Sequence, residues 1–208
     1  MNTQVNGPLI VCDKKYETGR EEIRVYLESV LEIPDVDETL LDLAVQAFTT
    51  PGYAKENLGL KDYERLEFLG DAIIKAYVSE TIYKRYANMN EGQMSKLCHY
   101  LWNNKSYPFC VMKYWTDFHS LLFIPKSVKN QSIDRKVDFI ASVVSDCFEA
   151  VIGALYLSAP SEVYKDIIDR VLFKGVDFLA LRIFKKHIED CDVYLNKLAN
   201  WRAVIYKG

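Results

Sequence analysis

The chain has 208 residues, of which 50% are apolar, 13% aromatic and 26% charged. This length and composition fit one globular domain, or a domain with an appendage, that can bury a sizeable core. The formal net charge of −3 argues against a chain that binds nucleic acid through an overall basic surface. The five cysteines are scattered and form no CxxC pair, which argues against a disulfide framework or a cysteine zinc site.

The N-terminal sequence lacks the pattern of a secretory signal, and no segment reaches the run of about 18 apolar residues that spans a membrane. We therefore expect a soluble, intracellular and cytoplasmic protein that does not contact a membrane.

Apolar residues at helical spacing predict the first two helices. The first runs from about Gly19 to Leu31, and the second begins at Asp37 or Glu38 and ends near Phe48. The following segment, Phe48 to Leu60, contains a proline and two glycines and predicts an ordered loop.

The next predicted helix, from Asp62 to about Tyr86, carries a stripe of carboxylates. Glu64, Glu67 and Asp71 are spaced three and then four residues apart, so they share one face. Most of the residues between them are apolar, which predicts a buried helix whose ionised groups need partners. Lys75, one turn beyond Asp71, offers an ion pair, and a bound metal ion is the alternative. This helix alone does not decide between the two.

Three further segments separate this helix from the second acidic one. A turn at Asn88 to Gly92 leads into a helix near Glu91, and Pro108 starts or interrupts a short aromatic helix through Trp115. Residues 116–134 are polar and contain a proline, which predicts a surface loop. Four cations in or beside this loop form either a solvated edge or a phosphate-binding patch; they are Lys126, Lys129, Arg135 and Lys136.

The helix predicted from Ile140 to Ala159 has only two charged residues, Asp146 and Glu149, and no basic residue. The two acids are three residues apart and share a face. A helix this apolar belongs at the centre of a helical bundle, where its acids have no counter-charge of their own. The ion-pair interpretation is therefore weaker here than on the first acidic helix.

Two glycines predict that the acidic helices cross closely. Gly70 and Gly153 lack a β-carbon, and each weakens its helix by about 1 kcal/mol relative to alanine, so a close approach is a plausible reason for their presence. Four carboxylates would then converge: Glu67, Asp71, Asp146 and Glu149. This convergence favours a metal ion as the partner of Asp71 and places Lys75 at the edge of the site. Their mutual repulsion raises their pKa values, and a divalent cation relieves it. Hard oxygen ligands suit Mg²⁺ or Mn²⁺, and the natural reaction is two-metal phosphodiester hydrolysis.

Three segments of the chain resemble the ribonuclease III family. They are ERLEFLGDA at Glu64 to Ala72, NEGQMSKL at Asn90 to Leu97 and SDCFEAVIGALYL at Ser145 to Leu157. The upstream segment AFTTPGYAKEN is also similar to the family. The resemblance implies an all-α endonuclease domain over residues 19–188. It further implies a homodimer that binds double-stranded RNA and cuts both strands with Mg²⁺, for which Mn²⁺ is a substitute.

The resemblance also implies roles for individual residues. The implied catalytic and metal-binding acids are Glu67, Asp71, Asp146 and Glu149. Glu64 and Glu91 match acids with supporting roles, and Phe68 matches an aromatic residue that enters a socket on the partner subunit. The implied products are short duplexes with 5′-phosphate and 3′-hydroxyl ends.

The chain departs from the family pattern in several places. Thr50 and Gly52 stand where a histidine and a serine are usual, and Gln93 stands where an acid is common. Residues 1–18 are expected to form an N-terminal arm. Residues 189–208 are expected to form a C-terminal extension that resembles at most the start of a double-stranded RNA binding domain. We therefore expect either a catalytic-domain-only enzyme or a truncated chain.

Two other functions are compatible with parts of this pattern. A catalytically inactive relative could serve as a scaffold or RNA-binding subunit, but such relatives typically lose acids, and here all four are present. An all-helical nucleotide pyrophosphatase also gathers Mg²⁺ on paired acidic helices, but the FLGD motif fits that family poorly.

Overall fold

The fold is helical, as the sequence predicts. A computed structural model describes residues 14–102, 110–111, 114–115 and 117–173. These residues form helices and no strand; one isolated bridge pairs Thr49 with Phe123. None of the helices in these ranges has both the length and the apolar character needed to cross a bilayer.

The described helices range from four to 26 residues in length. In chain order they are α1 (Lys14–Ser29), α2 (Glu38–Ala47), α3 (Pro51–Glu56), α4 (Glu64–Arg85), α5 (Glu91–Leu101), α6 (Lys126–Lys129), α7 (Ile133–Ser158) and α8 (Ser161–Ile168). A 3₁₀ turn at Phe118–Leu121 precedes α6, and a π turn at Asp169–Phe173 follows α8. The predictions for α2, α4 and α5 agree with the structure to within a few residues.

Helix α1 begins at Lys14, inside the arm expected over residues 1–18. The expected loop from Phe48 to Leu60 contains α3. Thr50 caps this helix by accepting a hydrogen bond from the Tyr53 backbone N–H, and Pro51 takes the first helical position, where no backbone N–H is needed.

The described part of the predicted surface loop, residues 117–134, contains buried and hydrogen-bonded residues. Phe118 and Phe123 are buried, and the backbone N–H of Phe123 donates to the Phe48 carbonyl at 2.9 Å. Helix α7 begins at Ile133, seven residues before the predicted start. Most of the aromatic helix expected between Pro108 and Trp115 lies outside the described residues, as does the extension expected over 189–208.

Helices α4 and α7 cross at the two glycines named above. A β-carbon on Gly70 would lie 1.7 Å from the backbone oxygen of Glu149, and one on Gly153 would lie 2.3 Å from the backbone oxygen of Leu66. Both distances are far shorter than any non-bonded contact. Only glycine therefore permits this approach of the two backbones.

Helix α7 lies at the centre of the core, which explains why it is so apolar. Its Val144, Cys147, Phe148 and Leu155 are fully buried, and α2 packs on it beside α4. The Cys147 thiol donates to the Ala47 carbonyl at 3.1 Å. Burial of the thiol raises its pKa, so this cysteine is a packed structural residue.

Candidate metal centre

Three carboxylates converge where α4 and α7 cross. Glu67 extends from α4, and Asp146 and Glu149 extend from one face of α7; one oxygen of each lies within 4.8 Å of the other two. All three side chains are partly buried. The convergence follows from the glycine crossing, because Gly70 lies one turn beyond Glu67 and rests against the backbone of Glu149. We call Glu67, Asp146 and Glu149 the carboxylate group.

Burial raises the pKa values of the three acids in this group, and mutual repulsion adds to the effect for Glu67 and Glu149. Burial raises the pKa of Glu67 to about 7, and the charge of Asp146 adds to the effect. Burial raises the pKa of Glu149 to about 8, with Asp71 and Glu67 contributing. Burial also raises the pKa of Asp146. A divalent cation would favour the ionised forms, and three hard oxygen donors suit Mg²⁺ or Mn²⁺, so these residues fit such an ion.

Asp71 is the one predicted ligand that lies outside the carboxylate group. Its Oδ2 accepts from the Lys75 ammonium at 2.7 Å, the ion pair that the first acidic helix taken alone left open. Asp71 nevertheless lies near the group, because its charge helps to raise the pKa of Glu149, although burial contributes more. The sequence favoured a metal ion as the partner of Asp71 and placed Lys75 at the edge of the site, whereas the structure pairs these two residues beside the candidate metal site.

The two predicted supporting acids are exposed. Glu64 begins α4, and its charge adds to the effect of burial in raising the pKa of Glu67. Glu91 begins α5 and accepts a hydrogen bond from the Ser95 hydroxyl at 2.8 Å. Neither residue is a member of the carboxylate group, so their supporting roles stay predictions.

Tyr63 is a site residue that sequence reasoning missed. Its hydroxyl donates to Oδ2 of Asp146 at 3.2 Å, and its ring is buried. Its backbone N–H donates to the Thr49 carbonyl at 3.0 Å, which holds the residue in place before α4. Burial raises the pKa of the phenol, so it stays a donor. Because 83 positions separate Tyr63 from Asp146, no local pattern signals the contact.

The carboxylate group predicts how the stability of the metal-free protein depends on pH. Because the pKa of Glu67 is about 7 and that of Glu149 about 8, the folded protein keeps protons that the unfolded chain has already lost. The resulting contribution to stability is complete below the pKa that these acids have in the unfolded chain. It is lost as the pH rises through their pKa values in the folded protein. We expect the Tm to fall between about pH 5 and pH 8 from this cause.

His119 has the opposite effect, because burial lowers its pKa and its contribution to stability grows as the pH rises. The measurement therefore compares wild type with Glu149→Gln, both in a chelator, because His119 contributes equally to the two proteins. The Tm of wild type should decline more steeply between the two pH values. Parallel curves would show that Glu149 does not titrate as described.

Comparison of the sequence with known proteins finds similar proteins. A family model described as the ribonuclease III domain matches residues 64–160. The chain is 32% identical over 170 residues to ribonuclease 3 of Bacillus cereus strain G9842, covering 79% of this chain and 64% of that protein. It is 31% identical over 166 residues to ribonuclease 3 of Leuconostoc citreum strain KM20, covering 76% and 65%. The chain thus spans slightly less than two thirds of the length of these relatives.

Comparison with solved structures finds members of the same family. The nuclease domain of ribonuclease III from Campylobacter jejuni matches with a TM-score of 0.59 and 30% identity, over 72% of this chain and 96% of that domain. That domain is described as flexible in a region involved in dimer formation. A second structure of the domain matches with a TM-score of 0.60 and 29% identity. Since the match at 30% identity covers nearly all of a solved nuclease domain, the chain belongs to the ribonuclease III family.

Proposed function

We propose that this protein is a Mg²⁺-dependent endonuclease that cuts both strands of double-stranded RNA inside the cell. Its products would be short duplexes with 5′-phosphate and 3′-hydroxyl ends. The observation that carries the proposal is the carboxylate group at the α4–α7 crossing, in a chain that belongs to the ribonuclease III family. Three acids that repel one another in a partly buried position destabilise a fold, and a bound cation would neutralise this repulsion.

Glu67, Asp146 and Glu149 would hold the metal, with Asp71 as a fourth ligand once it leaves Lys75. When bound, divalent cations at such sites activate water for attack on phosphorus and neutralise the charge that develops on the leaving oxygen. Tyr63 orients Asp146 through its hydrogen bond. Because Glu67 and Glu149 bind as carboxylates, they release their protons when the site fills, so metal affinity rises with pH.

The direct test is incubation of the purified protein with long double-stranded RNA and Mg²⁺, beside single-stranded RNA of the same sequence. We expect the duplex to be shortened and the single strand to survive. Binding of duplex RNA without cleavage, in Mg²⁺ and in Mn²⁺, would instead support the inactive scaffold subunit. End-labelling of the products tests the proposed 5′-phosphate.

We further propose that the protein forms a homodimer through the outer face of α4. Phe68 is 81% exposed and Tyr83 is 72% exposed, unusual values for large aromatic side chains on a helix. Ala72 and Ala76 are exposed between them, at spacings that keep all four on one face. Exposed apolar surface of this kind marks interaction sites. The solved relative from Campylobacter jejuni has a region involved in dimer formation, which adds support.

Replacement of Phe68 by alanine is expected to weaken the dimer at least tenfold, since a buried aromatic anchor contributes about 2 kcal/mol or more to an interface. The control is Leu58→Ala, because Leu58 is 92% exposed but lies in the turn after α3. Sedimentation over a range of protein concentrations measures both variants. Equal dissociation constants for Phe68→Ala and wild type would remove Phe68 from the interface.

The extent of the endonuclease domain is also a proposal. Its N-terminal limit moves from residue 19 to Lys14, because α1 buries Ile23 and Leu27 in the shared core. The limit at residue 188 and the extension over 189–208 lie outside the described part of the chain and stay predictions.

A further inference from the structure

Lys75 lies at the edge of the candidate metal centre. It is one turn beyond Asp71 on α4, and its ammonium contacts Oδ2 of Asp71 at 2.7 Å. Its charge also reaches across to α7, where it opposes the effect of burial and of neighbouring acids on the pKa of Glu149. A cation therefore stands beside the place where a divalent metal would bind.

A second ion pair on the same helix differs from the Lys75–Asp71 pair in its exposure to solvent. Lys84 contacts Glu80 with the same spacing of four residues. That pair is well exposed, with 70% of the lysine and 55% of the glutamate side chain accessible, and such pairs contribute little. In the pair with Lys75, 46% of the lysine and 35% of the aspartate side chain are accessible, and the charge of Asp71 acts on Glu67 and Glu149, so this pairing occurs where charge is less screened.

We propose that Lys75 competes with the metal ion for Asp71 and so sets the concentration of free Mg²⁺ at which the centre fills. In the metal-free protein Lys75 holds Asp71 outside the carboxylate group. When the metal binds, Asp71 exchanges its ammonium partner for the metal and the ion pair breaks. This inference rests on the proposed metal-dependent function and adds a regulator of affinity to the same site.

Calorimetric titration of the full chain with Mg²⁺, without RNA, tests the proposal through a double-mutant cycle. Lys75→Met keeps a side chain of similar length without the charge, and we expect it to bind Mg²⁺ about three- to tenfold more tightly than wild type. Asp71→Asn removes the ligand and weakens binding. In the Asp71→Asn background, Lys75→Met should change the affinity by less than about twofold, because the contested carboxylate is gone.

Two controls accompany the cycle. Lys84→Met removes the same charge from the comparable pair on α4 and should leave the Mg²⁺ affinity unchanged. Lys75→Arg keeps the ion pair and should bind as wild type does. Thermal unfolding of each variant verifies that it is folded.

The possible outcomes are separable. Unchanged or weaker binding by Lys75→Met overturns the competition. An equal gain with and without Asp71 also overturns it, since the lysine would then act only by repelling the metal through space. If wild type and Glu149→Gln both fail to bind Mg²⁺, the proposed metal-dependent function itself is wrong.

Discussion

Replacement of Glu149 by glutamine is expected to reduce RNA cleavage by more than a hundredfold. Burial raises the pKa of Glu149 to about 8, compared with about 7 for Glu67, so a bound cation would relieve Glu149 more than Glu67. Glutamine has the same shape but no charge, so the fold is kept and a metal ligand is lost. Changes in the outer shell of metal sites already cost about 10- to 100-fold, and loss of a ligand should cost more.

The matched control is Glu28→Gln, since Glu28 is an exposed glutamate on α1 that lies outside the carboxylate group. It should cleave as wild type does. Binding of duplex RNA by Glu149→Gln, measured by electrophoretic mobility, should stay within about twofold of wild type, because one charge among many phosphate contacts has a small effect. Cleavage by Glu149→Gln at a rate near that of wild type would remove this residue from the site.

Replacement of Gly70 by alanine should be the most damaging single-methyl change in the described part of the chain. The added β-carbon would lie 1.7 Å from a backbone oxygen of Glu149, and a backbone atom cannot move aside as a flexible side chain can. Helices α4 and α7 must therefore separate. Overpacking typically costs 1–3 kcal/mol, and we expect at least about 3 kcal/mol here despite the better helix propensity of alanine. Gly153→Ala meets Leu66 at 2.3 Å and should behave similarly.

Gly92→Ala is the control for the glycine variants. Gly92 is exposed in the first turn of α5, and the nearest atom to an added β-carbon is 3.6 Å away. This change should shift the free energy of unfolding by less than about 1 kcal/mol, in the stabilising direction. Urea denaturation measures all three variants. Equal stability of Gly70→Ala and wild type would mean that the two helices do not cross at this position.

Separation of α4 and α7 should also impair the site. Glu67 is carried by one helix and the two other acids by its partner, so a shift at the crossing alters the spacing of the carboxylate group. We therefore expect Gly70→Ala to lose Mg²⁺ affinity at temperatures where circular dichroism still shows it folded. Gly92→Ala should keep the affinity of wild type.

Local patterns predicted the elements that carry the site. The three-and-four spacing of acids on α4 and the pair on α7 follow from helix geometry, which is a local property. The two glycines predicted a close crossing because a missing β-carbon is costly unless something occupies its place. The exposed side chain of Phe68 agrees with its expected outward position, although its role in a dimer stays a prediction.

Other features depend on contacts between distant parts of the chain. The segment 116–134 looks polar, yet Phe123 enters the core because its backbone bonds to Phe48 and Thr50. Tyr63 reaches Asp146 only because α4 and α7 cross. Composition and periodicity describe a single element, and they contain no information on which distant backbone offers a partner.

The sequence by itself determined the helical class, the two acidic helices and the glycines where they cross, because each depends on spacing within one element. It favoured a metal ion as the partner of Asp71, although Lys75 was also able to neutralise this acid. The tertiary structure decided that Glu67, Asp146 and Glu149 meet, while Asp71 pairs with Lys75 at their edge. The reason is physical: the partner of a carboxylate depends on distances across two helices, and only the packed fold sets those distances.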